Sequence, residues 1–413
     1  MSELIEQCKI LKLMSRTLAL ASARDKNQAL RLAKESLDQA RASILDANQK
    51  DISKARQSGM AESLLDRLAL NQARIDGMLT AIDELIAYPD PIWSGNKTWT
   101  TEESLVISRI NVPLGVIGII YESRPNVTLD AFALALKSGN AIILRGSSSA
   151  YHSNLAIVKA IKAGLAKSQI SPDMIQLIED PDYGVVDRLI KLNQYIDLII
   201  PRGGAGLIQS IIQNATVPTL QTGTGNCHIY VDETADLEDA LNIIDNAKKQ
   251  RPGTCNSVET VLVHQTIAQN FLPKLAQKLG PQVELRACPL SLHYIEAKPA
   301  SEEDWSTEYL DLILAIKVVS GVDEAIDHIN RYGSQHSEAI LTQNIENSDK
   351  FQRQVDAAVV YVNASTRFTD GGVFGFGGEM GISNQKIHAR GPVGVDQLVS
   401  YKYLVHGQGQ TRQ

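Results

Sequence analysis

The sequence predicts an α/β protein of two domains built on parallel-type sheets, and three observations predict it. The chain has 413 residues, whereas single hydrophobic cores stop growing at roughly 250–300 residues. From residue 105 onward short apolar runs alternate with helix-like segments, the pattern of parallel strands joined by crossover helices. Most of these runs lack a polar face, as strands covered on both sides should.

Taken in order, residues 1–88 read as helices. Leu30, Ala33, Leu37, Ala40 and Ile44 form one stripe within Ala29–Asn48, and Ser63–Ala87 repeats the habit. These stripes are core faces and carry no chemistry. Pro89, Pro91 and Gly95-Asn96-Lys97 break the pattern. Strands are then expected at Leu105–Val112, Val116–Tyr121, Ala141–Leu144, Ile175–Ile178, Ile196–Ile200, His228–Val231, Thr260–Val263, Ile313–Val319 and Val359–Val362. Helices are expected at Leu129–Lys137, Leu155–Ala166, Val185–Leu192, Leu207–Asn214 and Leu237–Lys248. The glycine-rich Thr222–Asn226 marks a hinge between two α/β halves.

Composition narrows the function. Apolar content of 44% with 21% charged residues is that of a soluble globular protein. A net charge of −7 without a run of Lys and Arg argues against nucleic acid. Val112–Tyr121, the longest apolar stretch, contains Pro113 and two glycines and is too short to span a membrane. The first six residues carry acids where a secretory signal carries bases, so a cytoplasmic protein is expected. Cys8, Cys227, Cys255 and Cys288 are widely scattered, which fits a reducing compartment. Cys288 and His293 lack a second matching pair, so no metal site is expected.

Chemistry concentrates at Gln250-Arg251-Pro252-Gly253-Thr254-Cys255-Asn256-Ser257. A thiol lifted from the ladder by a Pro-Gly turn can attack a carbonyl while its own N–H receives the developing oxyanion. The alternative is a cysteine acting as a small apolar core residue. No segment completes Gly-x-Gly-x-x-Gly. Two strand ends nevertheless suit phosphate or ribose: Leu144-Arg145-Gly146-Ser147-Ser148-Ser149, and Ile200-Pro201-Arg202-Gly203-Gly204-Ala205-Gly206. Helix N-termini offer unpaired N–H groups to phosphate oxygens, although glycines also serve tight turns alone.

In chain order these segments resemble the aldehyde dehydrogenase superfamily, and more closely its branch that reduces L-glutamyl 5-phosphate. The likeness is carried by Tyr121-Glu122-Ser123-Arg124-Pro125-Asn126-Val127-Thr128, Leu144-Arg145-Gly146-Ser147 and Thr222-Gly223-Thr224-Gly225-Asn226-Cys227-His228, together with the cysteine segment. It is carried further by Glu308-Tyr309-Leu310-Asp311, His336-Ser337-Glu338-Ala339-Ile340, Val362-Asn363-Ala364-Ser365-Thr366-Arg367-Phe368 and Gly375-Phe376-Gly377-Gly378-Glu379-Met380-Gly381. It covers essentially the whole chain.

The resemblance implies an aldehyde-dehydrogenase-like fold. Residues 1–97 and 113–225 would form an NADP-binding domain, 226–384 a catalytic domain, and 98–112 with 385–413 an oligomerisation element of a homo-oligomer. It implies Cys255 as nucleophile and Asn126 as the side-chain donor to the oxyanion, against the alternative of a turn asparagine after Pro125. Arg145, Gly146, Ser147, Ser148, Gly203 and Gly204 would hold the cofactor, and Glu308 would orient the nicotinamide ribose. Arg124 and Arg367 are candidates for the anionic groups of the substrate, with structural ion pairs as the alternative. His336 reads equally well as a packed loop histidine.

One departure bears on the reaction. Relatives that hydrolyse a thioacyl intermediate carry a glutamate base where this chain has Gln221, and an amide cannot take a proton from water. A thioacyl group on Cys255 would therefore survive to accept a hydride. NAD-preferring relatives carry an acid where this chain has Ser148, and its absence beside Arg145 favours NADPH over NADH. The resemblance thus implies reduction of L-glutamyl 5-phosphate to glutamate 5-semialdehyde in proline biosynthesis, with channelling from glutamate 5-kinase. The remaining alternatives are another acyl-phosphate or acyl-thioester reductase of the superfamily, a cofactor-independent cysteine hydrolase using His228 or His264, and a nucleotide-binding protein without chemistry.

Overall fold

A computed structural model describes residues 2–412. The chain divides into two compact units. The first comprises the chain up to Thr222 with Gly375–Gly381 and the segment from Val393; the second comprises Gly223–Phe374 and Ile382–Pro392.

The first unit is centred on four parallel strands in the order Ile175–Leu177, Ala141–Gly146, Val116–Tyr121, Leu198–Arg202. Every residue of Val116–Tyr121 is buried, which is why this run has no polar face. Helix Asn126–Lys137 packs in the same interior, with Leu129, Phe132, Leu134 and Leu136 buried. The expected single helix over Ala29–Asn48 is two, Ala23–Gln39 and Arg41–Gln57, which meet at Ala40. The stripe still points inward, with Leu30, Ala33, Leu37 and Ile44 buried. The second helix also turns buried polar groups inward. Asn48 bonds the backbone of Leu68 and Leu70, and Asp51 accepts from Ser153.

The second unit carries seven parallel strands in the order Lys298–Pro299, Glu284–Ala287, Ile313–Val319, Val258–His264, Cys227–Val231, Ser337–Leu341, Val359–Val362. Glu284–Ala287 and Ser337–Leu341 were not expected as strands. The first is short, and the second begins with polar Ser337 and Glu338, both buried.

Val106–Pro113 stays out of the parallel sheets and lies antiparallel between Gly95–Thr100 and Val399–His406 in the first unit. The segment after residue 374 also divides differently from a limit at 384 followed by one element from 385 to 413. The Met380 N–H donates to the Val393 carbonyl and the Val393 N–H to the Gly381 carbonyl, both at 2.8 Å, and Asn140 donates to the Leu398 carbonyl, which holds these parts in the first unit. Ile382–Ser383 pairs with Gly391–Pro392 instead, and Gly223 N–H donates to the Ile382 carbonyl within the second.

Candidate active site

The second unit places Cys255 just ahead of Val258–His264, at the amino-terminal edge of its sheet. Cys8, Cys227 and Cys288 are buried, whereas Cys255 is half-buried. Burial pushes the Cys227 thiol well above its ordinary range. Its Sγ donates to the Cys255 carbonyl at 3.2 Å, so the neighbouring thiol supports the turn.

Three further groups hold that turn. A Cβ on Gly225 would land on the Cys255 carbonyl, so the hinge glycine is required by close packing. Glu308 accepts the Gly225 N–H at 2.7 Å. Burial raises the Glu308 carboxyl and the Gly225 bond opposes that rise. Asn256 ties the turn to a distant segment: its Nδ2 donates to the carbonyls of Arg367 (3.4 Å) and Thr369 (2.9 Å), and Thr366 Oγ1 donates to its carbonyl at 2.7 Å. Asn363 bonds Thr342 at the carboxyl end of Ser337–Leu341, whereas Thr369 bonds Ser337 at its amino end. The chain thus doubles back along the sheet and delivers Arg367 to the thiol edge. Behind it, buried Lys248 meets Glu259 at 2.6 Å, and Glu259 accepts the Leu310 N–H, which anchors the Glu308 segment.

The first unit holds the remaining candidates. Asn126 opens helix Asn126–Lys137, and its Nδ2 donates to Asp130 Oδ2 at 2.9 Å. An amide nitrogen carries two hydrogens, so this bond orients the group and leaves one for another acceptor. Burial pushes the Asp130 carboxyl up to about 6, while the Asn126 bond and the Arg202 charge pull it down. Asp130 was missed, although its i,i+4 spacing from Asn126 was a visible signal.

Arg145 is buried and donates to the carbonyls of Gly146 and Pro181, the latter at 3.0 Å. Its first duty is to hold the loop after Ile175–Leu177. Arg145, Gly146, Ser147 and Ser148 line a pocket of about 300 Å³ shared with Lys54, His152 and Glu179. Asp180 lines it as well, so an acid missing at position 148 does not leave the pocket free of carboxylates. Glu179 is engaged by the Tyr151 hydroxyl at 2.8 Å. Lys54 and His152 had no local signal, because they come from separate helices.

Gly203 and Gly204 stand at the start of helix Ala205–Asn214. The Gly204 N–H donates to Glu122 Oε2 at 2.8 Å, and a Cβ on Gly203 would meet that carboxylate at 2.7 Å. The carboxylate of Glu122 therefore occupies the anion position that the sequence assigned to the cofactor. Of the histidines weighed for a hydrolase, buried His228 is engaged by Glu338 and the Asn226 carbonyl, and His264 by Thr266.

The model of the aldehyde dehydrogenase family matches residues 12–284 and 300–403. A curated relative from Alkaliphilus oremlandii, named gamma-glutamyl phosphate reductase, is 60% identical over 413 residues, 100% of either chain. The crystal structure of gamma-glutamyl phosphate reductase from Thermotoga maritima matches with a TM-score of 0.97 at 52% identity, covering 100% of each chain. An acetylating aldehyde dehydrogenase from Geobacillus thermoglucosidasius shares the fold, with a TM-score of 0.72 at 17% identity over 100% of this chain and 98% of that one. The chain belongs to the aldehyde dehydrogenase family of oxidoreductases, on the branch of the gamma-glutamyl phosphate reductases.

Proposed function

We propose that this chain reduces L-glutamyl 5-phosphate to L-glutamate 5-semialdehyde, with release of phosphate, through a thioacyl group on Cys255. The observation that carries this reading is the state of the four cysteines. Three are buried, and the fourth is half-buried on a turn locked by Gly225, Asn256 and Cys227. A thiol meant for packing needs no such turn; one meant to attack a carbonyl does.

Cys255 sulfur bonds to the acyl carbon as the carbon–oxygen bond to phosphate breaks, and the thiol proton leaves on the phosphate. Asn126, oriented by Asp130, is assigned as side-chain donor to the oxyanion, a role worth about 3–4 kcal/mol in the transition state. Gln221, an amide where hydrolysing relatives carry a base, does not activate water, so the thioester persists. Arg124 and Arg367 are assigned to the anionic groups of the substrate.

The first unit suits a dinucleotide. Its parallel strands end in a pocket edged by Ser147 and Ser148, with Lys54 and His152 available to a phosphate. When bound there, the cofactor supplies the hydride that turns the thioester into aldehyde. We assign NADPH on the basic groups of that pocket, and Gly203 and Gly204 to the cofactor once Glu122 has moved aside. Glu308 is assigned to the nicotinamide ribose through the oxygen that does not hold Gly225.

On the same reading the first unit is the cofactor domain and the second the catalytic domain. The antiparallel sheet ending in Val399–His406 is the oligomerisation element. That strand is an edge with Tyr401, Tyr403 and Val405 exposed, which suits pairing with a second copy. A thiol-dependent enzyme of this kind fits the cytoplasm. Direct hand-over of the acyl phosphate from glutamate 5-kinase would shield a labile substrate.

The test is NADP⁺ reduction with glutamate semialdehyde and phosphate, comparing wild type with Cys255→Ala. Phosphate-dependent turnover that needs the thiol is expected. Turnover that ignores phosphate, or an active Cys255→Ala protein, would overturn the reading.

A further inference from the structure

We propose that Arg251 and Arg367 together form a subsite for the phosphoryl dianion that departs when Cys255 takes the acyl group. This deepens the reading above and rests on it for the identity of the substrate.

Both arginines are fixed to the thiol turn. Arg251 opens it, and its carbonyl accepts the Thr254 hydroxyl at 2.8 Å. The same hydroxyl lies 3.0 Å from Asn256 Oδ1, so its one hydrogen is shared between the two oxygens. Arg367 sits on the short turn Thr366–Phe368, which Asn256 and Thr366 join to the residue after Cys255. Its Nε donates to Gln250 Oε1 at 3.1 Å, beside Arg251. The backbone bonds therefore place a half-buried guanidinium and an exposed one at the same end of the cysteine loop.

The charges are not balanced there. The arginine ion pairs of the second unit use Arg286, Arg331, Arg353 and Arg390; among the described residues Arg251 and Arg367 enter none. Burial and the Arg251 charge both press the Arg367 guanidinium below its ordinary value, against the pull of Cys255 and Asp370. Two like charges held together beside a reactive group suit an anion of two charges, and the guanidinium fork matches phosphate oxygens.

Position separates the two anionic ends of the substrate. The phosphorus lies two bonds from the carbon that sulfur attacks, whereas the α-carboxylate carbon lies four bonds away. Groups built into the thiol turn reach the first more directly than the second. As the carbon–sulfur bond forms, the electron pair of the breaking carbon–oxygen bond passes to phosphate. The two guanidiniums stabilise that charge, and the thiol proton completes hydrogen phosphate. In reverse, the same pair holds inorganic phosphate for attack on the thioester.

The test uses full-length wild type, Arg251→Gln and Arg251→Lys, checked for equal thermal midpoints. The first readout is the rate of Cys255 alkylation by iodoacetamide against inorganic phosphate, without cofactor. Phosphate should protect wild type, protect Arg251→Gln about 30-fold less well, and recover in part in Arg251→Lys. The second is the KM for phosphate in the reverse reaction, expected to rise about 30-fold while the KM for semialdehyde moves less than about threefold. Unchanged protection in Arg251→Gln, absence of protection in wild type, or a shift in the semialdehyde KM alone would overturn the proposal. Loss of the reductase reading would appear separately, as absence of phosphate-dependent turnover in wild type that phosphate still protects.

Discussion

Arg145 and Arg367, one in each unit, look alike in the sequence: each stands in a motif that suggests an anion. Their surroundings are opposite. Arg145 is buried and directed onto two backbone carbonyls, whereas Arg367 is half-buried and, among the described residues, its guanidinium holds a glutamine side chain through its Nε. An arginine whose donors end on carbonyls is a brace for a loop. One that keeps its fork open beside a thiol is a ligand in waiting. The difference comes from which backbone atoms lie within reach.

The thiol near Arg367 sets the scale of the comparison. Cys255→Ala should lower phosphate-dependent NADP⁺ reduction by at least ~10³-fold with an unchanged thermal midpoint, as removal of a nucleophile does. Arg367→Ala should follow at about 10²-fold in kcat/KM, again with little change in stability. Arg145→Ala should reverse that pattern. It leaves the Gly146 and Pro181 carbonyls without their donor, at about 1–3 kcal/mol of stability, and should show first as a lower midpoint in thermal melts. If Arg145→Ala melts like wild type but loses cofactor affinity, the brace reading is wrong.

Asp130→Asn should cost less, about tenfold in kcat, because the Asn126 amide survives but exchanges a charged carboxylate acceptor for a neutral amide oxygen. The pH profile sharpens this. Folding raises the Asp130 carboxyl from 3.8 to about 6, so its contribution to stability is full below pH 3.8 and is lost as pH rises through about 6. The carboxylate is the stronger acceptor for Asn126, so log kcat should climb as pH rises through about 6 in wild type and lose that inflection in Asp130→Asn. The smallest effect belongs to Lys54→Ala. It should raise the KM for NADPH by roughly tenfold and leave that for NADH nearly unchanged, if a 2′-phosphate sits in that pocket.

Much of the fold was legible because strands buried on both faces must be written as continuous apolar runs. Val116–Tyr121 and Ile313–Val319 were expected with the limits they show. Ser337–Leu341 was not, because its buried Glu338 is satisfied by the backbone N–H of His228 from another strand. The division after residue 374 was equally hidden, since short backbone pairings at 380, 382 and 393 decide it.

For the site, the Pro-Gly turn and the motif likeness located Cys255, and the spacing of Asn126 and Asp130 was there to be read. Glu122 on the Gly204 N–H was not, because helix N-termini attract any carboxylate that the fold brings near. By itself, the sequence determined the parallel architecture, the family and the thiol, since periodicity and local turns are properties of neighbours along the chain. Only the tertiary structure decided which arginine braces a loop and which faces the thiol. Donor availability depends on groups tens to hundreds of residues away, and folding alone brings those within 3 Å of one another.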